Sequence, residues 1–583
     1  MEAVNFRSGK LDFDGVDPEL GQHLLELHWN RQHHSFLITY RPAFMRDMAC
    51  SGPYFSKILL NAIYFGASKF SLRREVRKDP TDVRTAGWKF RQRVKELLGN
   101  ALDGSEITTI QALLVMTNSL FALGDERSAA WLYAGLAFRM IIDLGLQVDT
   151  LPNLQKFSDE DLEIRRRVFW GAFVVDKIQS LYQGRPVSLQ ETDTRVPVLF
   201  LDTYEELEQW TPFAYSAQSD SRCSGSPAYS VSTFTALCQL SVIMNDILNN
   251  IYAERSFDRE PTELSKILEN LHSKLEVWHN ALPSHLLFDP IKAPPLAPPP
   301  HVLSLIAMYH VLLILLHRPF VADGHLYTTS RSISVNSFLI CATAASQIVR
   351  LLRAYDKAFS IRRAPYLISY ATYVSATIHA RIAAKRGPGS EARRSLETCL
   401  AVFRENQETN WAVRRAKVIV ENLMKRLGVI LDDESNRLQI SDEIREENEM
   451  DDNSSSASRS EINIDIEATA PRQEGAMDHV SPNLDIDAVI QSFAREQQGS
   501  NAFPDRGYTS AAFSSSGMGY TMPRPHFDDP SIQPTYYQHL PVFNPDTNGN
   551  WQEPINPSAV SIDDLLFGFN GSALDGYSVS GWS

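Results

Sequence analysis

The chain has 583 residues, of which 43% are hydrophobic, and a formal net charge of −14 at pH 7. This length exceeds what one hydrophobic core usually organises, so we expect a folded body together with a further domain or a tail. The acidity is local, because residues 432–583 contain 26 Asp and Glu against 7 Arg and no Lys. The remaining body is nearly neutral with dispersed charges, which excludes a strongly basic nucleic-acid-binding face.

The five cysteines are scattered at positions 50, 223, 238, 341 and 399, and no two of them form a Cys-x-x-Cys pair. This spacing indicates neither a zinc site nor a disulfide scaffold, and we interpret the cysteines as small apolar residues in a reducing compartment. The N-terminus lacks a signal-peptide pattern, and uninterrupted apolar runs such as residues 311–316 are too short to span a bilayer. We therefore predict a soluble intracellular protein without a membrane partner.

The first part of the body has helical periodicity. After a flexible N-terminus at residues 1–16, Asp17 supplies an N-cap and Pro18 a favoured first helical residue. We predict helices over residues 17–33, 53–70, 83–98, 105–123 and 127–144. Helices joined by such short loops predict a multi-helix bundle of stacked helical hairpins.

The segment from Ser158 to Gly184 is predicted to be the central helix of this body. Ser158 and Asp161 have the spacing of a capping box, and Gly184 has the composition of a helix end. Between residues 168 and 182 apolar side chains occupy nearly every face of the helix. A helix that is apolar on all sides must be surrounded by protein.

The charged residues of this segment have two interpretations. The run Arg165–Arg167 could contact phosphate, but it follows a cluster of acidic residues, which favours intramolecular ion pairs. Glu163 and Arg167 are four residues apart and are predicted to pair. Asp176 lies within the apolar stretch, so we predict a second pair with Arg185, because an unpaired buried carboxylate is costly.

The second part of the body begins with an aperiodic stretch at residues 183–228, which we predict to be a long surface connection. A proline-rich spacer follows later at residues 292–300. Further helices are predicted over residues 231–253, 261–281, 301–316, 330–355, 365–385, 390–405 and 410–427. Since no segment has a β pattern, the body at residues 17–430 is predicted to be all-α.

Residues 431–583 have the composition of a disordered acidic tail, since they are rich in Ser, Asn, Asp, Gln, Pro and Gly and have few aliphatic residues. Residues 561–569 stand out because acidic residues lie beside bulky apolar ones. Such a segment can enter a partner's groove as a short helix, as activation segments do, although a disordered end with chance apolar residues remains an alternative. The predicted coactivator contacts are Leu565, Leu566, Phe567 and Phe569.

A catalytic site is not recognisable in this sequence. There is no Walker loop, dinucleotide fingerprint or nucleophile elbow. The segment Asn245–Asn249 lacks the hydroxyl and final acid of a magnesium-binding helical enzyme. His33 and His34 are predicted to lie at the surface or in a loop, and His310 and His317 to have backbone partners. We therefore predict no catalytic, cofactor-binding or metal-binding residues.

Several motifs occur along the body in an order typical of one family. They are Ile110-Gln111-Ala112-Leu113-Leu114, Trp131-x-Tyr133-x-Gly135, Asp143-Leu144-Gly145-Leu146 and Leu316-His317-Arg318-Pro319-Phe320. Together with the central segment they resemble the fungal-specific transcription factor domain. This is the middle homology region, or xylanolytic transcriptional activator regulatory domain, of binuclear-zinc-cluster regulators. Its signature residues, for which we predict a structural role, are Glu163, Arg165, Arg166, Arg167, Phe169, Trp170, Asp176, Gly184, Arg185, Pro186, His317, Arg318 and Pro319.

The resemblance implies a nuclear protein that regulates transcription by RNA polymerase II and is not an enzyme. The implied partners are a second copy or a related regulator, a coactivator at the tail, a small-molecule effector, and DNA through a zinc cluster. The six cysteines of that cluster are absent from this sequence, so zinc and DNA contact are expected only if an upstream segment supplies them. Incomplete prediction of the gene's first exon is our favoured explanation. A helical interaction scaffold without its own DNA binding, or an all-α metal-dependent enzyme, remain as alternatives.

Overall fold

The computed structural model describes residues 2–124, 126–149, 156–213, 225–253, 256, 259–289, 297–321, 331–387 and 389–431. These residues are mainly helical, and the all-α prediction is confirmed. The α-helices of four or more residues are Glu2–Arg7, Pro18–His28, Arg41–Cys50, Lys57–Ser68, Trp88–Ala101, Ile107–Leu123, Arg127–Asp143, Asp159–Gln183, Tyr204–Leu207, Ser230–Ile251, Pro261–Asn280, Pro300–His317, Arg331–Ala358, Tyr366–Ala383, Glu391–Asn406 and Val413–Leu427 within the described ranges. Within the described ranges, β structure consists of an isolated bridge and a two-residue antiparallel ladder that pairs Gln209–Trp210 with Ser226–Pro227.

The helix Asp159–Gln183 is the centre of the body. It packs against two helices that precede it in the chain, Ile107–Leu123 and Arg127–Asp143, and against one that follows it, Ser230–Ile251. Its N-terminus has the predicted capping box of Ser158, and it ends at Gly184 with φ of +63°. Every residue from Arg166 to its last residue is buried. The central helix that the sequence predicts is therefore confirmed. It contacts helices that precede it and helices that follow it in the chain, and so connects the two parts of the body.

The side chain of Trp170 is one of the anchors of this helix. It is 3% exposed, and its indole N–H donates a hydrogen bond of 3.1 Å to the carbonyl of Pro197. Its ring centroid lies 5.4 Å from that of Phe169 and 5.2 Å from that of Phe173.

Replacing Trp170 by Ala should lower the free energy of unfolding by about 3–5 kcal/mol, because it removes buried aromatic surface and leaves a cavity. Urea unfolding of the purified full chain measures this loss. Leu132, which is 64% exposed, is the matched control, and its change to Ala should cost about 0.5 kcal/mol or less. Equal losses in the two variants would contradict the central position of the helix.

Among the residues that the structure describes, three helices are long and apolar enough to cross a membrane by length and composition, which corrects the prediction that the apolar runs are too short. They are Ser230–Ile251, Pro300–Phe320 and Arg331–Ala358. The prediction failed because it considered only uninterrupted apolar runs. A helix with a few single polar residues can still have a mean hydropathy that is high enough for a membrane span. The most apolar windows of these helices are 72%, 89% and 56% buried against the rest of the protein.

Other differences from prediction lie outside the long helices. The helix Arg41–Cys50 was not predicted, because its apolar residues show only weak helical periodicity. The stretch after the central helix is only partly a surface connection, since Leu189, Val196 and Trp210 are buried in the core. A segment without periodicity can still pack when a neighbouring helix offers it an apolar wall.

Several predictions fall outside the described residues. They are the disordered tail with its activation segment at residues 561–569, including Leu565, Leu566, Phe567 and Phe569, and most of the proline spacer at residues 292–300. Within the predicted flexible N-terminus, Glu2 forms an ion pair of 2.9 Å with Arg41. The domain boundaries at residues 16 and 430 remain predictions.

Candidate functional site

A cavity lies between the N-terminal helices, the central helix and the start of the helix Tyr366–Ala383. The space between these elements is about 820 Å³, a value that includes open solvent at its mouth. The wall is formed by residues 28–39, by Lys69 and Phe70 just after the helix Lys57–Ser68, by the helix Ile107–Leu123, and by Ile178 of the central helix. Pro365 and the first residues of the next helix close the far side.

The backbone of the wall at residues 28–39 is unusual. The helix Pro18–His28 continues into a π-helical turn at Trp29–His33, and the chain then leaves through Leu37 in the left-handed conformation with φ of +41°. Both features are uncommon, cost free energy and concentrate at functional sites. Here they surround residues that face the cavity, including His33 and Ile38.

The cavity is predominantly apolar but positively charged. Its apolar lining consists of Phe36, Ile38, Phe70, Val115, Phe121, Ile178, Pro365 and Leu367. The charged lining consists of Arg31 and Lys69, without an Asp or Glu among the lining residues. Burial lowers the pKa of Lys69 to about 8. Its ammonium lies 5.0 Å from the centroid of the Phe70 ring, and no carboxylate of the described residues forms an ion pair with it.

A buried ion cluster adjoins the cavity; we define it as His33, Glu163, Arg167, Asp202 and Glu205. The Arg167 guanidinium contacts all three carboxylates, at 2.7 Å from Glu163, at 3.2 Å from Asp202 and in a short contact with Glu205. His33 Nε2 lies 2.9 Å from the second oxygen of Glu205. The predicted pair of Glu163 and Arg167 is thus confirmed, as part of a larger network.

The charges of this cluster stabilise one another. Burial opposes the charge of Arg167, but Glu205 and Glu163 outweigh it and raise the pKa of the guanidinium above its ordinary value. Burial likewise opposes the charge of Glu205, but Arg167 and His33 hold the pKa of that carboxyl well below its ordinary value. Arg167 and Glu205 are therefore both charged at neutral pH, and each depends on its partners to offset desolvation.

The cavity and the ion cluster share His33. Its Nδ1 lies 3.2 Å from the Thr39 hydroxyl, and both residues line the cavity. On the other side of Glu205 the chain runs to the surface, where Tyr204 is 60% and Leu207 69% exposed. The arrangement therefore connects the cavity through buried charges to two exposed apolar side chains, those of Tyr204 and Leu207.

One wall of this cavity carries a neutral imidazole. His28 is buried, and burial together with the nearby His33 lowers its pKa to about 3, so the imidazole is neutral. Its Nδ1 lies 3.3 Å from the amide oxygen of Gln32. Among the residues that the structure describes, no group of three or more His, Cys, Asp or Glu is placed to hold a metal ion.

Comparison with known proteins matches residues 25–280 to the family described as "Fungal specific transcription factor domain". This region belongs to that family. The resemblance stated from the motifs is thus confirmed. The matched region contains the whole ion cluster and most of the cavity wall, whereas Pro365, Tyr366 and Leu367 lie beyond it.

The curated relatives include regulators from three fungi. The nitrogen assimilation transcription factor nirA of Emericella nidulans is 31% identical over 62% of this chain and 40% of its own length. The corresponding values for the nitrogen assimilation transcription factor nit-4 of Neurospora crassa are 30%, 72% and 38%. An uncharacterized transcriptional regulatory protein of Schizosaccharomyces pombe is 28% identical over 69% of this chain and 62% of its length. The chain thus spans less than two thirds of each. No solved structure matches the chain.

The arginine run of the fungal transcription factor signature is anchored inside the protein. Arg166 forms an ion pair of 2.9 Å with Asp149, and Arg167 belongs to the ion cluster. Arg165 differs from its predicted ion pairing, since it donates to the carbonyl of Leu144 and lies 4.3 Å from the Phe157 ring centroid. The aromatic signature residues Phe169 and Trp170 are buried beside this run.

The predicted pair of Asp176 and Arg185 is wrong. Asp176 lies 2.7 Å from the ammonium of Lys177 and accepts hydrogen bonds from the backbone amides of Ser188 and Leu189. Arg185 instead lies over the ring of Trp131, at 4.7 Å from its centroid. The chain turns back after Gly184 and Pro186, which brings backbone donors onto the carboxylate and leaves Arg185 outside.

The signature residues His317, Arg318 and Pro319 lie at the end of the helix Pro300–His317, where a 3₁₀ turn begins. His317 has side-chain partners, at 3.1 Å from Ser337 and 3.0 Å from His272, so the predicted backbone partner is wrong. The reason is that the helix Arg331–Ala358 packs directly against this end.

The prediction that His33 and His34 lie at the surface is also wrong. His34 is buried, lies 2.7 Å from the hydroxyl of Ser230 and stacks on His301 at 5.1 Å. Sequence reasoning missed Lys69 and Glu205 as well. Lys69 could have been noticed as a lysine within an apolar helix end, whereas Glu205 lies in the aperiodic segment and gave no signal.

Proposed function

We propose that the chain is a nuclear regulator of transcription by RNA polymerase II and not an enzyme. The observation that carries this proposal is the family match of residues 25–280, together with relatives named as transcription factors. In this proposal the all-α body is the regulatory domain. The buried ion cluster supports this assignment of the body as a regulatory domain. Such a network holds several segments in one defined arrangement, and a partner or effector that binds this arrangement would increase its population.

The proposed partners follow from the family. A second copy or a related regulator would bind the body, and a small molecule would act as effector. DNA contact is assigned to the zinc cluster that the family implies, which the given sequence does not include. The activating contact is assigned to Leu565, Leu566, Phe567 and Phe569 in the tail, which provide apolar burial for a coactivator groove. Asp563 and Asp564 would favour the start of a short helix and steer the segment to a basic rim.

Fusion of the full chain to an unrelated DNA-binding domain tests this function. On a reporter gene with measurable basal expression, the fusion should change reporter output. Changing Leu565, Leu566 and Phe567 together to Ala should abolish the change, because the apolar contacts are lost. The matched control replaces Asp563 and Asp564 by Asn and should weaken the effect without abolishing it.

Each outcome of the reporter assay distinguishes a part of the proposal. Reporter output equal to that of the DNA-binding domain alone, at equal nuclear protein level, contradicts a role in transcription. A full effect from the triple Ala variant contradicts only the assignment of the coactivator contact to the tail.

A further inference from the structure

We infer that the cavity binds a small organic monoanion, a carboxylate attached to an aromatic or aliphatic body, and that Lys69 is its charge partner. This inference names a ligand class for the domain. The binding itself is argued from the cavity, and only the role of the ligand as an effector of transcription rests on the proposed function. It is carried by three independent features: the charge of the lining, the apolar walls, and the unusual backbone of one wall.

The charge of the lining selects an anion. Lys69 follows the helix Lys57–Ser68 as its C-cap residue, so its backbone is fixed while its side chain lines the cavity. An ammonium in apolar surroundings without a carboxylate partner costs desolvation free energy that a bound anion would offset. The lowered pKa of Lys69 reflects this cost. Since the lining contains no Asp or Glu, a cationic ligand or a metal ion would lack a counter-charge.

The walls select an apolar body for that anion. Phe36, Phe70 and Phe121 provide aromatic surface, and Ile178 provides aliphatic surface from the central helix. A free inorganic anion would leave these walls unfilled, whereas a ligand with an apolar body would bury them. Asn118 adds an amide that can orient a polar group of the ligand.

The unusual backbone of one wall places the site next to the ion cluster. The π-helical turn Trp29–His33 and the left-handed Leu37 flank the cavity-lining side chains of His33 and Thr39. A ligand against these two residues contacts the same imidazole that pairs with Glu205. The bound ligand therefore lies directly beside the ion cluster, whose Glu205 belongs to the segment Tyr204–Leu207.

The test compares acids with their neutral amides on the purified full chain. The probes are 4-phenylbutyrate and octanoate, each with its amide, and titration calorimetry measures binding at pH 7. We expect saturable binding of at least one carboxylate with a stoichiometry near one, and at least about tenfold weaker binding of the corresponding amide, because the charge-assisted contact is lost. No saturable binding by either carboxylate, or equal affinity for acid and amide, overturns the inference.

Two variants assign the charge to Lys69. Lys69→Met retains the apolar stem, removes the ammonium and should abolish the preference for acid over amide while leaving the circular dichroism spectrum unchanged. Lys89→Met is the matched control, because Lys89 is exposed yet also lies near a neighbouring aromatic ring, 5.9 Å from Trp88. The control should bind as the unchanged chain does. Retention of the acid preference in Lys69→Met overturns the assignment.

The binding test is separate from the test of function. A chain that alters reporter output but binds none of the probes loses only this inference. A chain that binds a carboxylate through Lys69 but leaves the reporter unchanged retains the site and loses the proposed function.

Discussion

Replacing Arg167 by Met is expected to lower the free energy of unfolding by about 3–5 kcal/mol, the range found when one partner of a buried ion pair is removed. Methionine fills much of the same space, so the loss reflects charge rather than volume. The guanidinium is fully buried and contacts Glu163, Asp202 and Glu205. Without it, three carboxylates share a buried site that no longer contains the guanidinium, and each must be desolvated without adequate compensation.

Urea unfolding of the full chain at pH 7 measures this effect. The matched control is Arg353→Met, because Arg353 forms a partly exposed pair of 3.2 Å with Glu391, and exposed pairs contribute about 0–1 kcal/mol. The double variant with Glu205→Gln should recover part of the loss, since one uncompensated charge is removed. If Arg167→Met and Arg353→Met lose the same stability, the ion cluster does not hold the fold together.

The parts of the fold that sequence reasoning predicted are those encoded by local patterns. The capping box at Ser158 and the terminating Gly184 lie within the central helix's own sequence, and their geometry is as predicted. The pair of Glu163 and Arg167 follows from their spacing of four residues on one helix. Local rules therefore identified one edge of the ion cluster and no more.

The rest of the ion cluster depends on the tertiary fold. Glu205 comes from a stretch without periodicity, 38 residues after Arg167, and His33 comes from the N-terminal helices, 172 residues before Glu205. No spacing rule connects such distant positions. The failed pair of Asp176 and Arg185 has the same origin, because the backbone amides that satisfy Asp176 are placed by a turn of the chain and not by residue type.

The cavity was beyond sequence reasoning for a different reason. Residues 29–33 have ordinary helix-forming composition, and nothing in them indicates a π-helical turn. A cavity is also what remains between packed elements, so its position depends on helices that are far apart in the chain, such as Lys57–Ser68 and Tyr366–Ala383. The family resemblance therefore predicted the class of protein, whereas the site and its charge required the structure.

The buried histidines provide the second large prediction. His28, His301, His317 and His379 are each 3–5% exposed. Burial is the first cause that lowers their pKa from the ordinary 6.5, to about 3 for His28 and His317 and to about 4 for His301 and His379. A neighbouring histidine adds to the effect at His28, where it is His33, and at His317, where it is His272.

The sign of the pH dependence follows from these directions. Between about pH 4 and 6.5 the unfolded chain protonates these imidazoles while the folded chain keeps them neutral, so the unfolded state binds more protons. Stability is therefore complete above pH 6.5 and is lost as the pH falls through this window. Glu205 has a lowered pKa, so its contribution is lost only at more acidic pH, below the ordinary pKa of a carboxyl.

Lowering the pH from 7 to 5 should therefore cost up to about 2 kcal/mol for each of these four histidines. The sum is a large fraction of the stability of a typical domain, so the body should unfold at far lower urea concentration at pH 5. Urea unfolding at pH 7, 6 and 5 measures how steeply stability depends on pH.

The variant His301→Gln tests the assignment to histidine. Its amide can still donate to the Ala228 carbonyl, which accepts from His301 at 2.6 Å. Because the amide does not titrate, the pH dependence of stability should decrease by one histidine's share. Leu132→Ala should leave the slope unchanged, and stability that is equal at pH 5 and 7 would show that these imidazoles are protonated without cost and are not buried as described.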